Sequence, residues 1–294
     1  MYRAGGIVSA PVPVGFGLQT TDKPVSEPED RVIVAPARHC ANRIISVANQ
    51  KGGVGKTTTA INLSAALCRS DKRVLLVDMD PQANATSGLG VRVEQEQGTT
   101  YELLMGEKGL DSCRIREVST GLDLCPSSPA LAGAEVELVE VDRRERRLWE
   151  ELERSTGEYD YVIVDCPPAL SLLTLNALVA SDSVLIPLQC EYYALEGVTH
   201  LLQTLSRVQE SLNPRLEIEG VLLTMFDGRL NLSSQVASEA RAFFGSRVYE
   251  TMIPRNVRLG EAPSFGRAIT DYDPHCVGAQ SYLHLAEEIL SNGR

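Results

Sequence analysis

Eight consecutive residues, Lys51-Gly52-Gly53-Val54-Gly55-Lys56-Thr57-Thr58, carry the sharpest chemical signal in the chain. They follow an apolar run at 43–48 and precede an amphipathic stretch at 57–68, so a glycine-rich loop joins a strand to a helix. In that setting the glycines let successive backbone N–H groups face one phosphate, and the helix N-terminus adds a favourable dipole. Lys56 would reach the β- and γ-phosphates as a point charge, and the Thr57 hydroxyl would ligate Mg2+. The usual spacing, G-x-x-x-x-G-K-[ST], places a glycine five residues before Gly55. Here that position is Gln50, and an extra lysine, Lys51, follows it. The loop is a phosphate site of unusual form.

Three aspartates stand where such a site needs acid groups. Asp78 and Asp80 follow the apolar run 73–77, in Val77-Asp78-Met79-Asp80-Pro81-Gln82, and Asp165 ends the run 161–164. Ligands of open α/β sheets gather at the C-terminal ends of the strands, so these carboxylates are placed to hold Mg2+ or its waters. For any one of them taken alone, a strand-end cap explains the residue as well; beside the glycine loop, the metal and water roles are favoured.

The elements that must position these groups are legible as alternation. Strand-like runs at 43–48, 73–78, 161–165, 183–188, 220–224 and 247–253 are nearly continuous in apolar residues, as expected of a sheet covered on both faces. Helical stretches at 57–68, 195–212 and 279–290 lie between and after them. The expected fold is α/β: a single P-loop domain over 41–294, with a mainly parallel twisted sheet and helices on both faces. Residues 1–40, rich first in Gly, Pro and Val and then in polar turn formers, are expected to be a flexible extension. The segment 32–35 within it would be a short strand or a docking peptide.

With 43% hydrophobic residues the 294-residue chain can bury a sizeable core. A net charge of −11 argues against a general nucleic-acid coat protein, so any DNA contact needs a local basic patch. The seven cysteines and four histidines are dispersed without C-x-x-C or metal-ligand spacing, as in a reducing cytosol. Neither a membrane-length apolar run nor a signal-like start is present, and a cytoplasmic location is expected.

Together, the glycine loop, Asp78-Met79-Asp80-Pro81-Gln82 and Asp165-Cys166-Pro167-Pro168 resemble the deviant Walker A ATPases, nearest the chromosomal ParA/Soj branch. Supporting stretches are Gln189 to Gly197, Gly220 to Asp227, Ile253 to Arg258 and Glu261-Ala262-Pro263-Ser264. The resemblance spans about residue 43 to the C-terminus. It implies ATP and Mg2+ as cofactors, and a homodimer in which two nucleotides are sandwiched between subunits. Catalytic roles would fall to Lys51, crossing to the partner's nucleotide, to Lys56, and to Asp80, positioning the attacking water. Gly52, Gly53, Val54, Gly55, Lys56, Thr57 and Thr58 would bind phosphate, and Thr57, Asp80 and Asp165 would lie at the metal. Adenine would lie near Thr224, Met225, Pro254, Arg255 and Asn256.

The resemblance also implies slow hydrolysis stimulated by the basic N-terminal peptide of a ParB-type protein, and nucleoid association through non-specific double-stranded DNA. Arg229 and Arg258 occupy the matching DNA-binding positions, with Arg247 and Arg267 as further members of the patch. Taken alone, these arginines are ordinary solvated surface residues, and the resemblance is what favours DNA. Two alternatives remain in view. A MinD-like membrane-positioning ATPase would need a basic amphipathic C-terminal helix, whereas residues 282–294 carry two acids and one terminal arginine. A metabolic or cluster-carrying relative would need paired cysteines, for which Cys125 and Cys166 are the one pair worth considering.

Overall fold

The computed structural model describes residues 42–154, 157–191 and 194–292. The proposed extension 1–40, with its 32–35 segment, lies outside the described residues. Among the described residues eight strands form one sheet: β1 (Arg43–Val47), β2 (Val74–Asp78), β3 (Ile115–Ser119), β4 (Leu122–Cys125), β5 (Tyr161–Asp165), β6 (Ser183–Gln189), β7 (Glu217–Phe226) and β8 (Val248–Pro254). Their order is β3-β4-β2-β5-β1-β6-β7-β8. Every pairing is parallel except the edge hairpin β3–β4.

Alternation within the strands explains their composition. In β2, Val74 and Leu76 join one apolar cluster, and Leu75 and Val77 join the other. In β5, Ile163 faces one side and Val162 and Val164 the other. These central strands bury both faces, so hydrophobic–polar alternation is absent from their sequence. The first cluster packs helices α1 (Lys56–Arg69) and α6 (Val277–Ser291) on the sheet. The second packs α2 (Arg147–Arg154), α3 (Leu172–Ala180), α4 (Ala194–Ser211) and α5 (Asn231–Phe244). The Thr59 and Tyr282 hydroxyls, 3.2 Å apart in the interior, tie α1 to α6.

The expected parallel α/β sheet is therefore present, and the six expected strands coincide with β1, β2, β5, β6, β7 and β8 to within a few residues. The β3–β4 hairpin is an addition. Its register breaks where Glu117 takes a left-handed φ of 55°, and the Glu117 N–H donates to the Asp123 carboxylate at 2.9 Å.

Candidate nucleotide site

The loop after β1 begins at the middle of the sheet, between β5 and β6. Buried Asn49 donates its side-chain amide to the Pro187 carbonyl at 2.7 Å and accepts from the Lys51 N–H at 3.0 Å, fixing where the loop departs. Gly53 and Gly55 have φ of 76° and 87°, conformations that strain any residue carrying a Cβ. Gly55 then caps α1. On the far side the Thr224 hydroxyl donates to the Val54 carbonyl at 2.9 Å, joining the loop to β7.

Lys56 is nearly buried, and its ammonium donates to the Lys51 carbonyl at 3.1 Å. Burial holds its pKa below the ordinary lysine value, opposed by Asp165, Cys166 and Asp80. The Lys51 ammonium is ion-paired with Glu191, just before α4.

Three strand ends converge beside this loop. Asp165 stands in register with Val47 of β1 on one side and Asp78 of β2 on the other. Asp165 is fully buried, and among the described residues neither of its carboxylate oxygens has a hydrogen-bond partner. Burial first, and Asp78 second, push its pKa well above the ordinary value; nearby Thr57 and Lys56 pull it back, although the Thr57 hydroxyl is not in hydrogen-bonding geometry. A buried carboxylate with two free oxygens is a strained arrangement that a cation relieves.

The donor set fits Mg2+. That ion keeps several waters and takes one or two protein oxygens beside substrate phosphates, which Asp165 and the Thr57 hydroxyl would supply. Among the described residues no three His, Cys, Asp or Glu side chains gather into an all-protein metal cage.

Asp78 is equally buried but saturated. It accepts from the Asp80 N–H at 3.1 Å, and from the Thr86 N–H and hydroxyl at 2.9 and 2.7 Å. Burial nevertheless raises its pKa to about 6. Asp80 accepts from the Gln82 N–H at 2.9 Å and lines the cleft.

That cleft, about 640 Å³, is walled by Gly52, Gly53 and Gly55 to Thr58 on one side. Gln82, Asn84, Pro168, Met225, Ala262 to Ser264 and Arg267 are among its other lining residues. Met225 has a left-handed φ of 51° at the end of β7. Pro254, Arg255 and Asn256 are not among the lining residues. Pro254 ends β8, the Arg255 N–H donates to the Phe226 carbonyl at 3.1 Å, and Asn256 caps the short helix Val257–Glu261. The structure adds Asn62, Asn84 and Ser87 as wall residues that no motif marked, and it brings in Gln82 and Pro263, which lay in the resembling stretches without an assigned role. Arg267, expected on a DNA patch, lies in this wall.

Arg229 and Arg258 are exposed, and each is engaged by local acids. Arg229 forms a two-pronged pair with Asp227 at 2.7 and 2.9 Å. Arg258 meets Glu261 at 2.8 Å and Asp273 at 3.5 Å. Exposed pairs of this kind are weak, so phosphates can compete for both side chains.

Cys125 and Cys166 are buried in the core, on β4 and just past β5, with β2 between them. Strands two apart are separated by about 10 Å, too far for one cluster edge. Burial raises both thiols, Cys166 to about 12. The helix α6 turns Tyr282, Leu285, Ala286 and Ile289 into the core. No helix among the described residues is long and apolar enough to cross a membrane.

A family model described as an AAA domain matches residues 42–218. The chain is 53% identical over 254 residues to the chromosome partitioning protein ParA of Caulobacter vibrioides, covering 86% of this chain and 95% of that one. It is 54% identical over 251 residues to the sporulation initiation inhibitor protein Soj of Bacillus subtilis, covering 85% and 99%. Among solved structures, a Mycobacterium smegmatis protein titled cobyrinic acid a,c-diamide synthase, with bound ADP and magnesium, matches with a TM-score of 0.75 and 37% identity. That match covers 86% of this chain and 97% of that one.

Proposed function

Because the chain belongs to the family of the ParA and Soj chromosome-partitioning ATPases, we propose that it is an ATP-driven switch for DNA segregation. The observation that carries the reading is the fully buried Asp165, with two free oxygens, beside a loop bearing two lysines. ATP hydrolysis gives that arrangement a use: the loop N–H groups and Lys56 bind the β- and γ-phosphates, and Thr57 and Asp165 hold Mg2+. When bound, Mg2+ supplies positive charge against the phosphate oxygens.

Asp80 accepts a hydrogen bond from the attacking water and so aims its oxygen at the γ-phosphorus. As that P–O bond forms, the bond to the β–γ bridging oxygen breaks and ADP leaves. Lys51 exchanges Glu191 for the nucleotide of a second copy, adding charge stabilisation much as an arginine finger does. The dimer so formed presents Arg229 and Arg258 twice, giving salt-dependent, sequence-independent affinity for double-stranded DNA. The basic N-terminal peptide of a ParB-type protein stimulates hydrolysis and ends the cycle. The chain thus works in the cytoplasm, on the nucleoid.

Co-sedimentation with random-sequence DNA tests the reading. Binding with ATP and release with ADP are expected; equal binding in both states, or none in either, overturns it.

A further inference from the structure

The turn carrying Asp80 is strained and closely held. Ala83 has a left-handed φ of 52° without being glycine. Its N–H donates to the Asp80 carbonyl at 2.8 Å, and its carbonyl accepts from the Ser87 N–H at 2.9 Å. Such a conformation persists only where the surroundings over-determine it. Here two buried side chains, Thr86 and Asp78, contribute to that. The Thr86 hydroxyl donates to Asp78 at 2.7 Å and accepts from the Ser127 N–H, in the loop after β4, at 2.9 Å. The Thr86 N–H also binds Asp78 at 2.9 Å, and the other Asp78 oxygen receives the Asp80 N–H at 3.1 Å. Thr86 is 2% exposed and Asp78 fully buried, so water does not substitute for either.

We propose that Thr86, acting through Asp78, is a positioning residue that fixes the backbone of Asp80 and hence the aim of its carboxylate at the attacking water. This rests on the role assigned to Asp80 above. Neither Thr86 nor Asp78 lines the cleft, so neither touches substrate. The hydroxyl links three separate segments: the end of β2, the short helix Asn84–Gly88 and the loop after β4. A methyl group in its place keeps the shape and breaks both links.

The test compares Thr86→Val, Thr86→Ser and Asp80→Ala, with kcat expressed per bound nucleotide so that loss of folded protein does not enter. Thr86→Val is expected to lower kcat on the order of 10²-fold, as for a catalytic group misplaced by about an ångström, with KM for ATP unchanged. Thr86→Ser, which keeps the hydroxyl, restores most of the rate. Should Asp80→Ala abolish hydrolysis while Thr86→Val retains full kcat, the positioning role is overturned and the role of Asp80 stands. Full activity in Asp80→Ala overturns both. A rise in KM that accounts for the whole loss, or a Thr86→Ser variant as slow as Thr86→Val, also overturns it. If Thr86→Val does not fold, hydrogen exchange in the parent protein decides: the Asp80 amide is expected to be protected without nucleotide, and exchange at the unprotected rate refutes the clamp.

Discussion

Replacing Gly266 by alanine puts the wall of the cleft to a quantitative test. Gly266 has a φ of 64° and closes the turn Ala262–Phe265, with its N–H donating to the Pro263 carbonyl at 3.0 Å. A Cβ at this position would lie 2.6 Å from the Gly90 Cα and 3.0 Å from the Gly90 nitrogen. Gly90, itself at φ 75°, meets backbone of Gly266 in return, so neither side has a flexible side chain to swing aside. The left-handed backbone costs about 1–2 kcal/mol for a residue with Cβ. The overlap costs about 1–3 kcal/mol more, as in overpacked cores. Together the two terms give about 3 kcal/mol. At about 2–4 °C per kcal/mol for a chain of this size, that is a fall in melting temperature of about 10 °C. Gly260→Ala is the control, because a Cβ there would have nothing within 4 Å and the residue sits in the helix Val257–Glu261. There alanine is expected to be neutral or to gain up to about 1 kcal/mol. Thermal unfolding of the nucleotide-free proteins measures both. A Gly266→Ala protein melting within about 2 °C of the parent, where 1 kcal/mol alone would move it that far, refutes the reasoning.

Three further outcomes follow from the site. Asp80→Ala is expected to form an ATP-dependent dimer on size exclusion that no longer dissolves on incubation; a variant monomeric at saturating ATP contradicts the sandwich. Asp165→Asn is expected to abolish Mg2+-dependent nucleotide binding yet stabilise the nucleotide-free protein at neutral pH by about 1–3 kcal/mol, by removing an unsatisfied buried charge. Because the folded-state pKa of Asp165 is raised, its stability contribution is full in acid and is lost as pH rises through the raised value. The gap between parent and variant therefore narrows as pH falls toward the ordinary value of 3.8, and melts across pH check the sign. The double variant Arg229→Ala, Arg258→Ala is expected to lose DNA affinity equally for all sequences and to flatten the salt dependence, with ATPase activity retained.

The loop and the strand-end acids were readable because each is a local pattern: glycines before Lys56, and aspartates that interrupt apolar runs. The strands on either side were readable for the same reason, since burial of both faces leaves uninterrupted apolar runs. What escaped was set by contacts distant in sequence. Ile115 to Ser119 is a half-exposed edge strand broken by the Glu117 bulge, and it offers neither a clean alternation nor an apolar run. The pairing of Lys51 with Glu191, 140 residues apart, leaves no trace in either segment. Thr86 reads as one more polar residue of a turn until Ser127 is brought against it. Asp78 and Asp80 look equivalent in sequence, and only their hydrogen-bond partners and placement separate the saturated acid from the one that lines the cleft.

The phosphate loop is moored at both ends, by Asn49 to the Pro187 carbonyl of β6 and by Thr224 to the Val54 carbonyl from β7. Both moorings lie on one side of β1, so they tie the loop to β6 and β7. Nucleotide then arrives at a receptacle already shaped. Its association should run near the encounter rate for a preformed site, with no preceding conformational step to make the observed rate level off as ATP concentration is raised. In the cycle proposed above, regulation would then act after capture.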